Sequence, residues 1–162
     1  MIEKIKKVQI VFTDIDGVWT DGGMYYDEYG NEFKKFNTRD GMGVERLRNV
    51  GIETIICTSE DTKIVRNRAN KLKIKKCFVG VINKKERLIS FCEEQNISLS
   101  TIAYIGDDVN DLGAMGVVGF TACPNDAFKD ILEEVDYVCK TNGGMGAFRE
   151  FAELIMENKN EK

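Results

Sequence analysis

Four short strings stand at the ends of apolar runs in this sequence: Thr13-Asp14-Ile15-Asp16-Gly17, Cys57-Thr58-Ser59-Glu60, Asn83-Lys84 and Gly106-Asp107-Asp108-Val109-Asn110-Asp111. Brought to one rim, Asp14 and Asp107 offer the hard oxygens that suit Mg²⁺, an ion that keeps several waters and takes one or two carboxylates beside a substrate phosphate. Asp16 lies in the turn leaving the first run, where it can face away from a metal and handle protons. Lys84 supplies a compact cation, and Thr58 supplies a hydroxyl donor for a phosphoryl oxygen. A carboxylate nucleophile, a cation and fixed donors are the parts that phosphoryl transfer requires. The plainer reading of the three aspartates is helix capping after a strand, which Asp does routinely. Capping, however, needs neither Lys84 nor the double Asp.

For these strings to meet, the elements that carry them must lie side by side. Short apolar runs at Val8–Thr13, Thr54–Cys57, Cys77–Val79, Ile102–Ile105, Val117–Thr121 and Tyr137–Val138 suit strands buried on both faces. Helical patterns fall between or after them at Gly43–Asn49, Thr62–Leu72, Lys84–Gln95, Asn110–Met115, Ala127–Leu132 and Ala147–Glu157. This alternation predicts an α/β fold, a Rossmann-like parallel sheet with helices on both faces, and it puts ligands beyond the carboxyl ends of the strands. One stretch breaks the rhythm. Met24–Tyr26 and Glu32–Phe36 flank the turn-rich Asp27–Asn31, which predicts a protruding β-hairpin, a lid or assembly surface rather than core. Asn158–Lys162 reads as a frayed polar tail.

Composition narrows the function classes. With 162 residues the chain suits one domain over residues 1–162. The formal net charge of −4 argues against a nucleic-acid partner. The longest apolar run is far too short to span a membrane, and no leader pattern opens the chain, so the expectation is a cytoplasmic protein with no membrane partner. Histidine is absent, which excludes Ser-His-Asp and Cys-His catalysis and every His-based metal site. The five scattered cysteines contain no CxxC pair and read as reduced core thiols.

Taken in order, the four strings resemble the Mg²⁺-dependent phosphatases of the haloacid dehalogenase superfamily. The fuller strings VFTDIDGVWTDG, KKFNTRDGMG, YIGDDVNDL and GGMGAFRE are similar to its small branch without a cap domain, which dephosphorylates 3-deoxy-2-keto sugar acids: 3-deoxy-octulosonate 8-phosphate and sialic-acid-type nonulosonate 9-phosphates. The resemblance implies that Asp14 is the nucleophile and that Asp16 is the proton donor and then the base. It implies that Asp14, the Asp16 carbonyl and Asp107 bind Mg²⁺, with Asp108 and Asp111 in support. Thr58 and Lys84 would hold the transferring phosphoryl group, and nearby negative charge would keep Asp16 protonated for its first task. It also implies a homotetramer with the hairpins packed together and the Gly143–Gly146 stretch, with Arg149, reaching a neighbouring subunit's site.

In the octulosonate enzymes the second string usually continues Gly-Arg, whereas the nonulosonate enzymes resemble Thr-Gly-Glu followed by an Arg and a Lys. Thr58-Ser59-Glu60, with Arg68 and Lys71 on one helical face, favours a nine-carbon acid such as the 9-phosphate of KDN or N-acetylneuraminate. Glu60 would then accept from sugar hydroxyls, while Arg68 and Lys71 receive the sugar carboxylate. Arg39 and Arg149 are further candidates for substrate contact, Arg39-Asp40 alternatively capping the helix that follows. The alternative substrate is 3-deoxy-D-manno-octulosonate 8-phosphate. Two other classes compete: a receiver-like signalling domain, whose order of acidic pair and lysine differs from this one, and an inactive assembly homologue, against which stands the presence of every chemical position.

Overall fold

Ile10–Thr13 forms β1, buried at all four positions as a strand covered on both faces must be. The computed structural model describes residues 1–159. A short first helix, α1 (Ile2–Lys6), precedes β1, and the hairpin follows it as β2 (Tyr25–Tyr26) and β3 (Glu32–Phe33). The remainder alternates: α2 (Thr38–Asn49), β4 (Glu53–Cys57), α3 (Lys63–Lys71), β5 (Cys77–Phe78), α4 (Lys84–Gln95), β6 (Ile102–Ile105), α5 (Val109–Met115), β7 (Phe120–Cys123), α6 (Lys129–Glu134), β8 (Tyr137–Val138) and α7 (Ala147–Lys159).

Six strands form one parallel sheet in the order β5-β4-β1-β6-β7-β8, and β2 and β3 pair separately and antiparallel. Side chains alternate across the sheet. Val11 and Ile56 join one core with residues of α2, α3 and α7, whereas Phe12, Ile55 and Cys57 join a second core with residues of α4, α5 and α6. The chain therefore winds outward from β1 in one direction through β4 and β5, then restarts beside β1 with β6 and winds the other way. The crevice at such a reversal is where open α/β sheets bind ligands, and Asp14 and Asp107 follow the two strands that flank it.

The expected architecture is the observed one, with shifted boundaries. The seventh strand was expected at Val117–Thr121 but runs Phe120–Cys123. Gly119 explains the shift: its N–H bonds the carbonyls of Leu99 and Ile102, and a Cβ there would lie 2.1 Å from the Ser100 carbonyl oxygen, so Val117–Gly119 must be a close connection. α2 begins at Thr38 rather than Gly43, capped by Asn37, whose side chain accepts from the Arg39 amide at 3.0 Å. Two glycines mask that first turn in the sequence. A Cβ on Gly41 would stand 2.9 Å from Leu72, and one on Gly43 would stand 3.2 Å from the Arg149 Cα, so both permit close helix packing. Asn158 and Lys159 belong to α7 rather than to a frayed tail, and the rest of that expected tail lies outside the described residues. No described helix is long and apolar enough to cross a membrane.

Candidate active site

Beyond β1 the chain turns tightly, with the Ile15 carbonyl accepting from the amides of Val18, Trp19 and Thr20. Trp19 is buried against Phe148 and donates to the Thr13 hydroxyl at 2.9 Å, which fixes the turn to the end of β1. Gly17 makes the crossing possible. Its φ is +82°, and a Cβ there would fall 1.8 Å from Oδ2 of Asp107. Gly143 and Gly144 lie against the same turn, where added carbons would meet the Gly17 carbonyl oxygen at 1.9 Å and the Asp21 nitrogen at 2.5 Å.

Asp14 is buried, and its two oxygens are engaged by the Ile15 amide at 2.7 Å and by Lys84 Nζ at 2.6 Å. The Lys84 ammonium, fully buried, also reaches Asp111 Oδ1 at 2.7 Å, where the Tyr104 hydroxyl donates as well. Asp111 Oδ2 accepts from the Asp107 amide at 3.0 Å and completes a capping box with Asp108 at the start of α5. Helix capping, the plainer reading of Asp14, Asp16 and Asp107, is carried out instead by Asp108 and Asp111 at the start of α5, and none of the three is the N-cap of a described helix. Oδ1 of Asp107 is buried with no hydrogen-bond partner among the described residues. Asp14, Asp107 and Asp111 each offer an oxygen within 4.8 Å of the others.

The electrostatics follow from that crowding. Burial, then the Asp111 charge, raises the Asp14 carboxyl against the pull of Lys84. Burial, with Asp14, Asp111 and Asp108 adding to it, pushes Asp107 up to about 8. Burial alone would lower Lys84, but the Asp14 and Asp111 charges outweigh it and keep the ammonium above its ordinary value. Three carboxylates thus share one lysine, a deficit of positive charge that a hard divalent cation suits.

An open cleft of about 270 Å³ lies above this cluster, and Asp14, Asp16, Thr58, Glu60, Asp107 and Asp108 are among its lining residues. Asn110 and Ser59 bond across its edge at 3.2 Å. Lys84, expected to hold the phosphoryl group, places its ammonium between Asp14 and Asp111 and is not among the cleft's lining residues. Asp16 was expected beside negative charge, yet its nearest ionic partner is a cation, Lys34 Nζ at 2.6 Å from Oδ1.

The remaining candidates stand outside the cleft. Arg68 turns its guanidinium over the Phe36 ring at 5.4 Å and donates to the Asn37 carbonyl, and Lys71 is exposed at the end of α3. They share a helical stretch, but Phe36, Asn37 and the buried Asp40 draw Arg68 away. Arg149 pairs with Glu153 at 2.5 Å, and Arg39 is exposed beside Gly146. Asp40 caps a different helix from the one expected, since its Oδ1 accepts from the Arg149 amide at the start of α7. Lys34 escaped the sequence reading, because in Lys34-Lys35-Phe36 nothing distinguishes the inward lysine from the outward one. Tyr104 escaped as well, a strand residue among buried apolar neighbours.

Comparison with known proteins agrees with this geometry. The profile of the haloacid dehalogenase-like hydrolase family matches residues 80–150. The 3-deoxy-D-manno-octulosonate 8-phosphate phosphatase of Haemophilus influenzae is 36% identical over 157 residues, covering 97% of this chain and 87% of that protein. The Escherichia coli K12 enzyme of the same name is 34% identical over 156 residues, with 96% and 83% covered. Among solved structures, that phosphatase from Yersinia pestis superposes with a TM-score of 0.95 at 33% identity over 98% of this chain and 86% of that one. The Moraxella catarrhalis enzyme, in complex with magnesium, phosphate and KDO, gives 0.95 at 34% identity, with 98% and 91% covered. Similarity of this extent, running through all four strand ends, makes the chain a member of the haloacid dehalogenase-like hydrolases, a phosphomonoesterase of the branch without a cap domain that contains these octulosonate phosphatases.

Proposed function

We propose that this chain hydrolyses 3-deoxy-D-manno-octulosonate 8-phosphate in the presence of Mg²⁺, through an aspartyl-phosphate on Asp14. The observation that carries the chemistry is the cluster of Asp14, Asp107 and Asp111 around one buried lysine, with an oxygen of Asp107 left unpartnered. Asp14, Asp107 and the Asp16 carbonyl would hold the ion, and Asp111, which accepts from Lys84, Tyr104 and the Asp107 amide without lining the cleft, would support them. Bound there, Mg²⁺ supplies charge neutralisation for the phosphoryl oxygens.

The protein's own groups do the rest. Lys84 and the Ile15 amide fix the orientation of the Asp14 carboxylate at the cleft lining, and from that position it would attack phosphorus. As the bond from phosphorus to the sugar oxygen breaks, Asp16 gives that oxygen its proton. Water then attacks the aspartyl-phosphate, Asp16 recovers a proton from it, and phosphate leaves Asp14 free again. Thr58, which follows β4 and lines the cleft, would donate to the phosphoryl group.

The names of the relatives favour the eight-carbon ester over the nine-carbon one that Ser59-Glu60, Arg68 and Lys71 first suggested. A nonulosonate 9-phosphate remains a second reading because Glu60 lines the cleft where octulosonate enzymes usually carry Arg. Initial rates on the two esters decide. A kcat/KM at least about tenfold higher on the octulosonate ester, or about 1.4 kcal/mol of transition-state binding, is the expected result; the reverse preference overturns it. We further propose a tetramer built through the hairpin, whose Tyr25, Tyr26, Tyr29 and Phe33 are exposed. An active monomer by light scattering would remove that proposal.

A further inference from the structure

Lys34 follows directly on the hairpin strand β3, in a segment whose neighbouring side chains face solvent. The Lys35 side chain is 59% exposed, whereas that of Lys34 is 2% exposed. Its stem runs inward and its ammonium meets Asp16 Oδ1 at 2.6 Å, with Glu32 Oε1 behind it at 3.4 Å. The Thr20 hydroxyl also donates to Asp16 Oδ1, at 3.4 Å. Both neighbours of Oδ1 are donors. Oδ2 of the same carboxyl is buried with no hydrogen-bond partner among the described residues, and Asp16 lines the cleft.

We propose that Lys34 is a positioning residue, carried in by the hairpin, that claims Oδ1 of Asp16 and thereby reserves Oδ2 as the oxygen that carries the proton to the departing sugar oxygen. An ammonium has only donors, so an oxygen already accepting from it is a poor seat for a proton. In the first half-reaction the Oδ2–H bond breaks, and its proton goes to the ester oxygen as that oxygen leaves phosphorus. In the second half-reaction a proton from the attacking water returns to Oδ2. Without Lys34 only the long Thr20 contact marks Oδ1, and the carboxyl can turn to present either oxygen. This inference rests on Asp16 being the proton donor, so its test must fail separately from that reading.

The test compares two leaving groups in the full-length Mg²⁺-loaded enzyme. An alkyl oxygen, as in octulosonate 8-phosphate, needs its proton, while p-nitrophenolate departs with little help. Rapid-quench measurement of leaving-group release in the first turnover isolates the step. Lys34→Met should slow release from the sugar ester about 10²-fold and from p-nitrophenyl phosphate by less than about threefold, the size and selectivity of lost general acid catalysis. Lys34→Arg should recover most of the sugar-ester rate. If Lys34→Met does not fold, Lys34→Ala, which removes the donor without adding a bulky apolar group, reads the same ratio. Equal losses on both substrates would show that Lys34 merely tethers the hairpin and would overturn the proposal. Asp16→Asn is the reference: the same split there with none at Lys34 refutes the lysine's role alone, whereas no split at Asp16 brings down the proton-donor reading and this inference with it.

Discussion

Replacing Lys84 by methionine removes the one cation from beneath a set of buried carboxylates while keeping much of the side-chain volume. The lysine is fully buried, at 2.6 Å from Asp14 and 2.7 Å from Asp111, and among the described residues neither aspartate has another cationic partner within 4 Å. Breaking a buried pair by deleting one partner costs about 3–5 kcal/mol, because the charge left behind stays buried. Two carboxylates are left here, which argues for the upper half of that range. With unfolding entropy of about 2.1 cal/mol/K per residue, a chain of 162 residues loses about 3 °C of Tm per kcal/mol. The expected fall is therefore about 12–15 °C.

Thermal unfolding followed by circular dichroism at pH 7 measures it, with a chelator present so that no divalent ion stands in for the lysine. A partial reversal identifies the cause. Adding Asp111→Asn to Lys84→Met removes one stranded charge, so the double variant should be more stable than the additive expectation by about 1–2 kcal/mol. A Lys84→Met protein melting within about 2 °C of the parent, less than about 1 kcal/mol on this scale, would refute the idea that the lysine balances the cluster.

Three more outcomes follow from the geometry. Gly17→Ala drives a Cβ into the Asp107 carboxylate and strains a φ of +82°, so kcat should fall about 10²-fold or more at saturating Mg²⁺; activity near the parent's would remove Gly17 from the site's construction. Asp40, raised to about 6 chiefly by burial, holds a proton in the folded chain that the unfolded chain has released. Its contribution to stability therefore declines as pH rises from about 4 to about 6, by up to about 3 kcal/mol. Asp40→Asn should flatten urea-unfolding stability across that window, and an unchanged slope relative to the parent would count against it. Chelation should abolish phosphate release and Mg²⁺ should restore it, as assayed by free phosphate; turnover that persists in chelator would contradict the acidic cluster's assignment.

The fold was legible because its signals are local. Runs such as Val11-Phe12 and Ile102–Ile105 are short and continuous, as a doubly covered parallel strand requires, and the strings after them fall where such sheets bind ligands. The relative placement of Asp14 and Asp107 then follows from winding order alone. What sequence could not give is the direction of individual long side chains. Lys34 and Lys35 are adjacent and identical, yet one is buried against Asp16 and the other is in solvent. Arg68 has the spacing of a substrate-facing residue, but the Phe36 ring and the Asn37 carbonyl take it instead. Asp40 stands where a cap for its own helix is expected and binds the amide of another more than a hundred residues away. Such choices depend on non-local packing, which no window of sequence contains.

The same packing explains why the site tolerates an arrangement that stability alone would not favour. A well-packed apolar group in place of a buried ion pair is often neutral or stabilising, so Lys84 with Asp14 and Asp111 makes sense only if the charges are used. The single lysine leaves the cluster short of positive charge, and an Asp107 oxygen there has no hydrogen-bond partner among the described residues. Any divalent ion that binds the folded chain and not the unfolded one relieves the shortage and stabilises the fold in proportion to its affinity. Gly17 leaves room for Asp107 at the cleft while Lys84 is held between Asp14 and Asp111, so an arriving counter-charge is directed to the same crevice that a phosphate ester would enter.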